Sequence, residues 1–136
     1  MTVRLVVIAA LSCITVPSIS GAQLVATPSP QPMSVCADRP SEPVIIQNMD
    51  AREANRVLFL RDMYRAYTFN GIVESGTCSC EQRYPSWEPV VEYYLEHYAI
   101  IEDRHELREY GKPYQNTINE HRTIARDICL ASGTWN

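Results

Sequence analysis

The chain is almost without lysine. Lys112 is the only one, and the other basic residues are arginines spread from Arg4 to Arg126 with no cluster. A nucleic-acid binder neutralises phosphates with a basic stripe, so this scatter, with a formal net charge of −4, disfavours that class. Phenylalanine is scarce, with two in the chain. No run of alternating polar and apolar residues is long enough to predict a strand. The sequence also lacks the local signatures of several chemistries. There is no Cys-x-x-Cys-His for haem, no Gly-x-Ser-x-Gly nucleophile turn and no glycine-rich loop to cradle phosphate. No local signature supports a Ser/His/Asp triad either.

What is present begins with an export signal. Arg4 precedes a mostly apolar run from Leu5 to Val16, and Ser20-Gly21-Ala22 follows with small residues at the positions a signal peptidase inspects. The run is shorter than the roughly 20 residues a membrane-spanning helix needs. Residues 1–22 are therefore expected to be a secretory signal peptide cleaved after Ala22. A rival reading takes Ala10-Leu11-Ser12-Cys13 as a lipobox, with Cys13 lipidated at a new N-terminus. Against it, Ala10 stands where a large aliphatic residue is usual, and the apolar stretch continues past Cys13. The expected location is periplasmic or extracellular, with a membrane anchor only on the second reading. From Gln23 to Ser34, Pro28, Pro30 and Pro32 alternate with small and polar residues, which describes an extended linker. The linker and an irregular arm fill residues 23–47, and a helical domain fills 48–136.

The five cysteines become four once Cys13 is removed or lipidated: Cys36, Cys78, Cys80 and Cys129. An even count in a small exported domain predicts two disulfides. Three pairings exist. Joining Cys78 to Cys80 across one residue is geometrically tight. The other two pairings send one of these sulfurs to Cys36 and the other to Cys129, tying the arm and the chain's end to one loop. A reactive Cys78/Cys80 dithiol is a weaker reading. Arg83 would favour a thiolate, but Glu81 opposes it and no thioredoxin-like context surrounds the pair. A metal site is weaker still, because Cys36 and Cys129 lack the close second pair of a zinc site.

The predicted fold is all-α: a small three-helix domain with an irregular N-terminal arm, stapled by the two disulfides. Helix one starts near Asp50, where Asp50-Ala51-Arg52-Glu53 has capping-box spacing, and stops at Asn70-Gly71. Its stripe is read as Ala54, Val57, Leu58, Arg61, Tyr64 and Tyr67, widened by Leu60 and Met63. Helix two starts at Ser86, with Glu88 and Pro89 in its first turn, and closes at Gly111 and Pro113. Trp87, Val91, Tyr94, Leu95, Tyr98 and Ile101 form its apolar face. Helix three spans Tyr114 to Ala131, with a stripe of Ile118, Ala125, Ile128 and Cys129 joined by Ile124, and ends at Gly133.

Two other patterns bear on function. Glu102-x-x-His105 would align two ligands on one helix face, but di-iron bundles use that motif twice, and here it occurs once. It reads as a solvated acidic face, and His97 and His121 read as surface histidines. No metal or cofactor is expected. Eight tyrosines are many for this length. Tyrosine buries a ring while keeping a polar tip wet, and it is enriched at interfaces. Tyr93 and Tyr110 fall off the expected helix-two stripe and are the interface candidates. The sequence points to a non-enzymatic domain that binds another protein, such as an accessory or adaptor subunit of a cell-envelope assembly of the secretion or conjugation kind. The alternatives are an inhibitor or immunity-type protein and, less favoured, a thiol oxidoreductase.

Overall fold

A computed structural model describes Cys36 and residues 39–135. The signal, the lipobox cysteine Cys13 and the proline-rich linker lie outside these residues. The described part is helical: α1 (Val44–Gln47), a 3₁₀ turn (Ala51–Glu53), α2 (Ala54–Ser75), α3 (Cys80–Arg83), α4 (Glu88–His97) and α5 (Arg104–Ala131). No strand occurs among the described residues. The three-helix expectation holds, with α2, α4 and α5 as the long elements, but their boundaries differ from those read in the sequence.

The Asp50 capping box forms as expected. The Asp50 carboxylate accepts from the Arg52 amide, and Glu53 reaches back to the Asp50 amide. Helix α2 does not stop at Asn70-Gly71. Gly71 is exposed with open space around it, so the helix passes through and ends at Gly76, where φ is +65°. Glycine takes that left-handed conformation without the Cβ penalty. The buried face of α2 is Phe59, Leu60, Met63, Ala66, Phe69 and Ile72. Leu58 and Tyr67, expected on the stripe, are exposed.

The larger correction concerns helix two. It does not run to Gly111; α4 ends at His97, and the chain turns through residues 98–103. Asp103 then caps α5, its Oδ1 accepting from the amides of His105 (2.6 Å) and Glu106 (3.0 Å). These two bonds hold the Asp103 carboxyl below its usual pKa. The expected stop at Gly111-Lys112-Pro113 lies inside α5, so the expected third helix is the second part of one long element. Pro113 leaves the Glu109 carbonyl without its helical partner, but both residues are exposed and water can satisfy it. Gly111 is buried under Phe59. Leu95 and Ile124 are exposed rather than packed.

The packing follows from these ends. Gly111 meets Phe59, and Gln115 reaches Asp62, so α5 packs parallel to α2, while α4 runs back along α2 in the opposite direction. One core cluster joins Ile46 of α1 to Phe59, Leu60, Met63, Val90, Tyr94 and Leu107. Ile46 reaches this core from a one-turn helix within the arm that the sequence reads as irregular. The second cluster joins Ala66, Phe69 and Ile72 to Cys78, Ile118, Ala125 and Cys129. A methyl group added at Gly111 would sit 3.5 Å from the Phe59 ring, an ordinary contact. Gly111→Ala therefore stabilises the domain by about 0.5–1 kcal/mol, the intrinsic helix preference of alanine. Urea unfolding checks this, and a lower midpoint would show that the Phe59 contact cannot accept the methyl.

Candidate functional site

Two disulfides converge on the loop between α2 and α4. Cys36 bonds Cys80 and Cys78 bonds Cys129, closing sequence separations of 44 and 51 residues. Neither sulfur of the Cys78/Cys80 pair is joined to its neighbour. The staple pattern is the one expected, and it settles which sulfur goes where. Such bridges belong to an oxidising compartment. Around them, Ser79 caps α3 with a box made with Gln82, which places the two cysteines on either side of a fixed turn. Gly133, at φ +72°, ends α5 as anticipated. The Gly133 and Thr134 amides bond the carbonyls of Leu130 and Cys129, the Schellman pattern. The buried Thr134 hydroxyl then bonds the Cys78 carbonyl at 3.0 Å, locking the C-terminal end onto the loop.

The first surface feature is a tyrosine patch at the α4–α5 turn. Tyr98 stacks edge-on against core Phe59 at 4.9 Å, and its hydroxyl lies 3.1 Å from that of Tyr114. Burial and this neighbour push the Tyr114 hydroxyl well above its ordinary pKa. Tyr93 and Tyr110 flank Tyr98 at ring distances of 5.9 and 5.5 Å, and each is 45% exposed. The structure therefore brings the two interface candidates, from different helices, onto one surface with Tyr98 between them. His97 packs edge-on against Tyr93 at 4.1 Å. The turn beneath is held by Arg56 of α2. Its guanidinium donates to the Tyr94 hydroxyl (2.9 Å), the Ala99 carbonyl (3.1 Å) and the Ile101 carbonyl (2.6 Å).

The second feature is an open groove of about 720 Å³ between the arm, α2 and the α3–α4 segment. Tyr64 and Trp87 stack face to face at 3.8 Å on its wall, and the Tyr64 hydroxyl donates to the Pro85 carbonyl. Burial raises the Tyr64 pKa. Arg83 lies over Trp135 at 4.2 Å and beside Tyr84 at 5.1 Å, while Arg39 approaches the same Tyr84 ring at 5.5 Å. Arg61 forms a two-pronged pair with Glu42, at 2.7 and 2.9 Å. This groove was not read from the sequence, because its residues come from three separated segments. Only the adjacent Arg83-Tyr84 hinted at it.

The remaining candidates stay apart. Glu102 and His105 are exposed at the start of α5, and among the described residues no His/Cys/Asp/Glu group is arranged to hold a metal ion. His121 departs from the surface expectation. It is half-buried, with an Nδ1 that finds no hydrogen-bond partner among the described residues. Among those residues, no helix is long and apolar enough to cross a membrane. No protein-family model, curated protein or solved structure matches the chain.

Proposed function

We infer that the chain is an exported, non-enzymatic protein-interaction domain, acting as an accessory or adaptor subunit in a cell-envelope assembly such as a secretion or conjugation machine. The signal at residues 1–22 delivers it, and the linker from Gln23 would hold the stapled domain away from the membrane if Cys13 is the anchor. The observation that carries the reading is the tyrosine patch. Three rings from α4, the turn and α5 lie side by side, anchored on Phe59, with their outer two members half exposed. Tyrosines in this arrangement lose little side-chain entropy on binding and offer both apolar area and a polar tip, which is why they dominate interface hot spots.

The test is cross-linked capture from the cell envelope with the wild-type chain and with Tyr93→Ala/Tyr110→Ala. The double variant is expected to recover at least about tenfold less partner, as loss of a hot-spot pair does. Equal recovery would remove the patch as the binding surface. A membrane-complex partner supports the adaptor role, whereas a captured toxin or hydrolase would reassign the chain as an inhibitor or immunity-type protein. The intact mass of the same recovered protein distinguishes cleavage after Ala22 from a diacylated Cys13.

A further inference from the structure

The chain is acidic overall, yet among the described residues the groove beside α2 is lined by four arginines, Arg39, Arg61, Arg65 and Arg83, against a single carboxylate, Glu42. Two of the four are already engaged. Arg61 is forked onto Glu42, and Arg65 lies 3.6 Å from Asp62. Arg39 and Arg83 make no ion pair among the described residues. Both approach the Tyr84 ring, so two like charges share one wall. Burial lowers the Arg83 pKa, and the nearby Arg39 charge pushes it the same way. The Arg83 Nε is buried and finds no hydrogen-bond partner among the described residues. A guanidinium held between two aromatic rings keeps its planar edge in place, and that edge matches a carboxylate.

We propose that this groove captures an extended acidic peptide segment of a partner protein, with Arg39 and Arg83 binding its carboxylates and Tyr64, Tyr84 and Trp87 packing its backbone and side-chain stems. The Arg61–Glu42 fork shows the recognition in miniature: in the same groove wall, a glutamate from the arm already sits on a helix arginine. Charge selects the occupant. Residues 23–35 carry no acidic side chain and so cannot neutralise the site, and Asp38 lies outside the described residues. An anion placed between Arg39 and Arg83 relieves their mutual repulsion. The groove is a different surface from the tyrosine patch, so the two readings stand or fall separately.

Fluorescence anisotropy with labelled hexaglutamate, and with hexaglutamine as its neutral control, tests this on the full disulfide-bonded chain. Hexaglutamate binds, hexaglutamine does not, and the affinity falls as salt rises. Arg39→Gln weakens binding by about tenfold, the effect of losing one charge-assisted hydrogen bond, and Arg83→Gln by at least as much. Arg83 also packs on Trp135, so its variant is read only with an unchanged circular-dichroism melt. Arg39 is exposed and serves as the variant that leaves the fold alone. Tyr93→Ala binds hexaglutamate like the wild type. The proposal is overturned by equal binding of the two peptides, by wild-type affinity in Arg39→Gln, or by displacement of hexaglutamate with inorganic phosphate at concentrations where chloride has no effect. That last result would make the groove a small-anion site.

Discussion

Replacing Cys78 and Cys129 together by alanine lowers the unfolding midpoint by about 15–30 °C. The bridge closes a 51-residue separation, and the loss of that constraint on the unfolded chain costs about 4 kcal/mol in the chain-entropy view. In a domain of about a hundred residues, each kcal/mol shifts Tm by several degrees. Both sulfurs are buried in the second core cluster, beside Ile72, Ile118 and Ala125. Their removal also takes polarizable packing from the place where α2, α5 and the loop meet. The Cys36–Cys80 bridge has a similar separation of 44 residues, but its cysteines are only half-buried. Its double alanine variant therefore loses the entropic part and little of the packing, and its melt falls between the other two. Circular-dichroism melts of the three proteins give the order directly. Equal midpoints for wild type and Cys78→Ala/Cys129→Ala would mean that the helical core holds itself together without the staple.

Arg56→Met is expected to cost about 3 kcal/mol, though it touches neither disulfide. One guanidinium satisfies the Tyr94 hydroxyl and two carbonyls of the α4–α5 turn. Hydrogen bonds from a charged donor contribute about 1.5–3 kcal/mol each, and the cost of leaving an acceptor unpaired is largest where water cannot replace the donor. Arg56 is only partly buried, so water replaces part of what the three bonds supply and the loss amounts to one to two of them. The loss has a local signature as well. With the turn released, Tyr98 loses its seat on Phe59, and the near-ultraviolet circular dichroism of the tyrosines weakens. A full-strength tyrosine signal together with an unchanged urea midpoint would show that the turn needs no support from α2.

What the sequence revealed, and what it hid, divides along physical lines. Local side-chain chemistry was readable. The Asp50–Glu53 box, the Gly133 stop, the Pro89 placement and the helical class are decided within a few residues. The staple pattern was readable because four cysteines in a small chain leave few choices. The errors arose where tertiary contacts overrode local preference. Asn70-Gly71 and Gly111-Lys112-Pro113 look like helix ends, yet α2 and α5 continue through them. The packing of Phe59 on Gly111 and of Ile72 in the second cluster outweighs the local cost. The real break, at residues 98–103, contains neither glycine nor proline. It is made by Arg56 from a distant helix, and the one local sign was Asp103, three residues before Glu106, repeating the spacing of the first box. Tyr93 and Tyr110 could be singled out as off the stripe. Their meeting around Tyr98 could not, because it depends on that break. The arginine groove was hidden because Arg39, Arg61 and Arg83 lie on three separated segments, the arm, α2 and the α3–α4 stretch, that meet only in the folded domain.

The two bridges also set how the molecule carries load. They meet at Cys78 and Cys80, with only Ser79 between them. A pull on the linker before Cys36 is passed to Cys80, through Ser79 to Cys78, and out at Cys129 beside the C-terminal end. Tension between the ends thus travels along a short covalent strap and bypasses α2, α4 and α5. The same strap means that a single backbone cut anywhere between Cys36 and Cys129 leaves one connected molecule. A domain tethered at one end and holding a partner through its helices would keep its surfaces unstrained while being pulled or nicked.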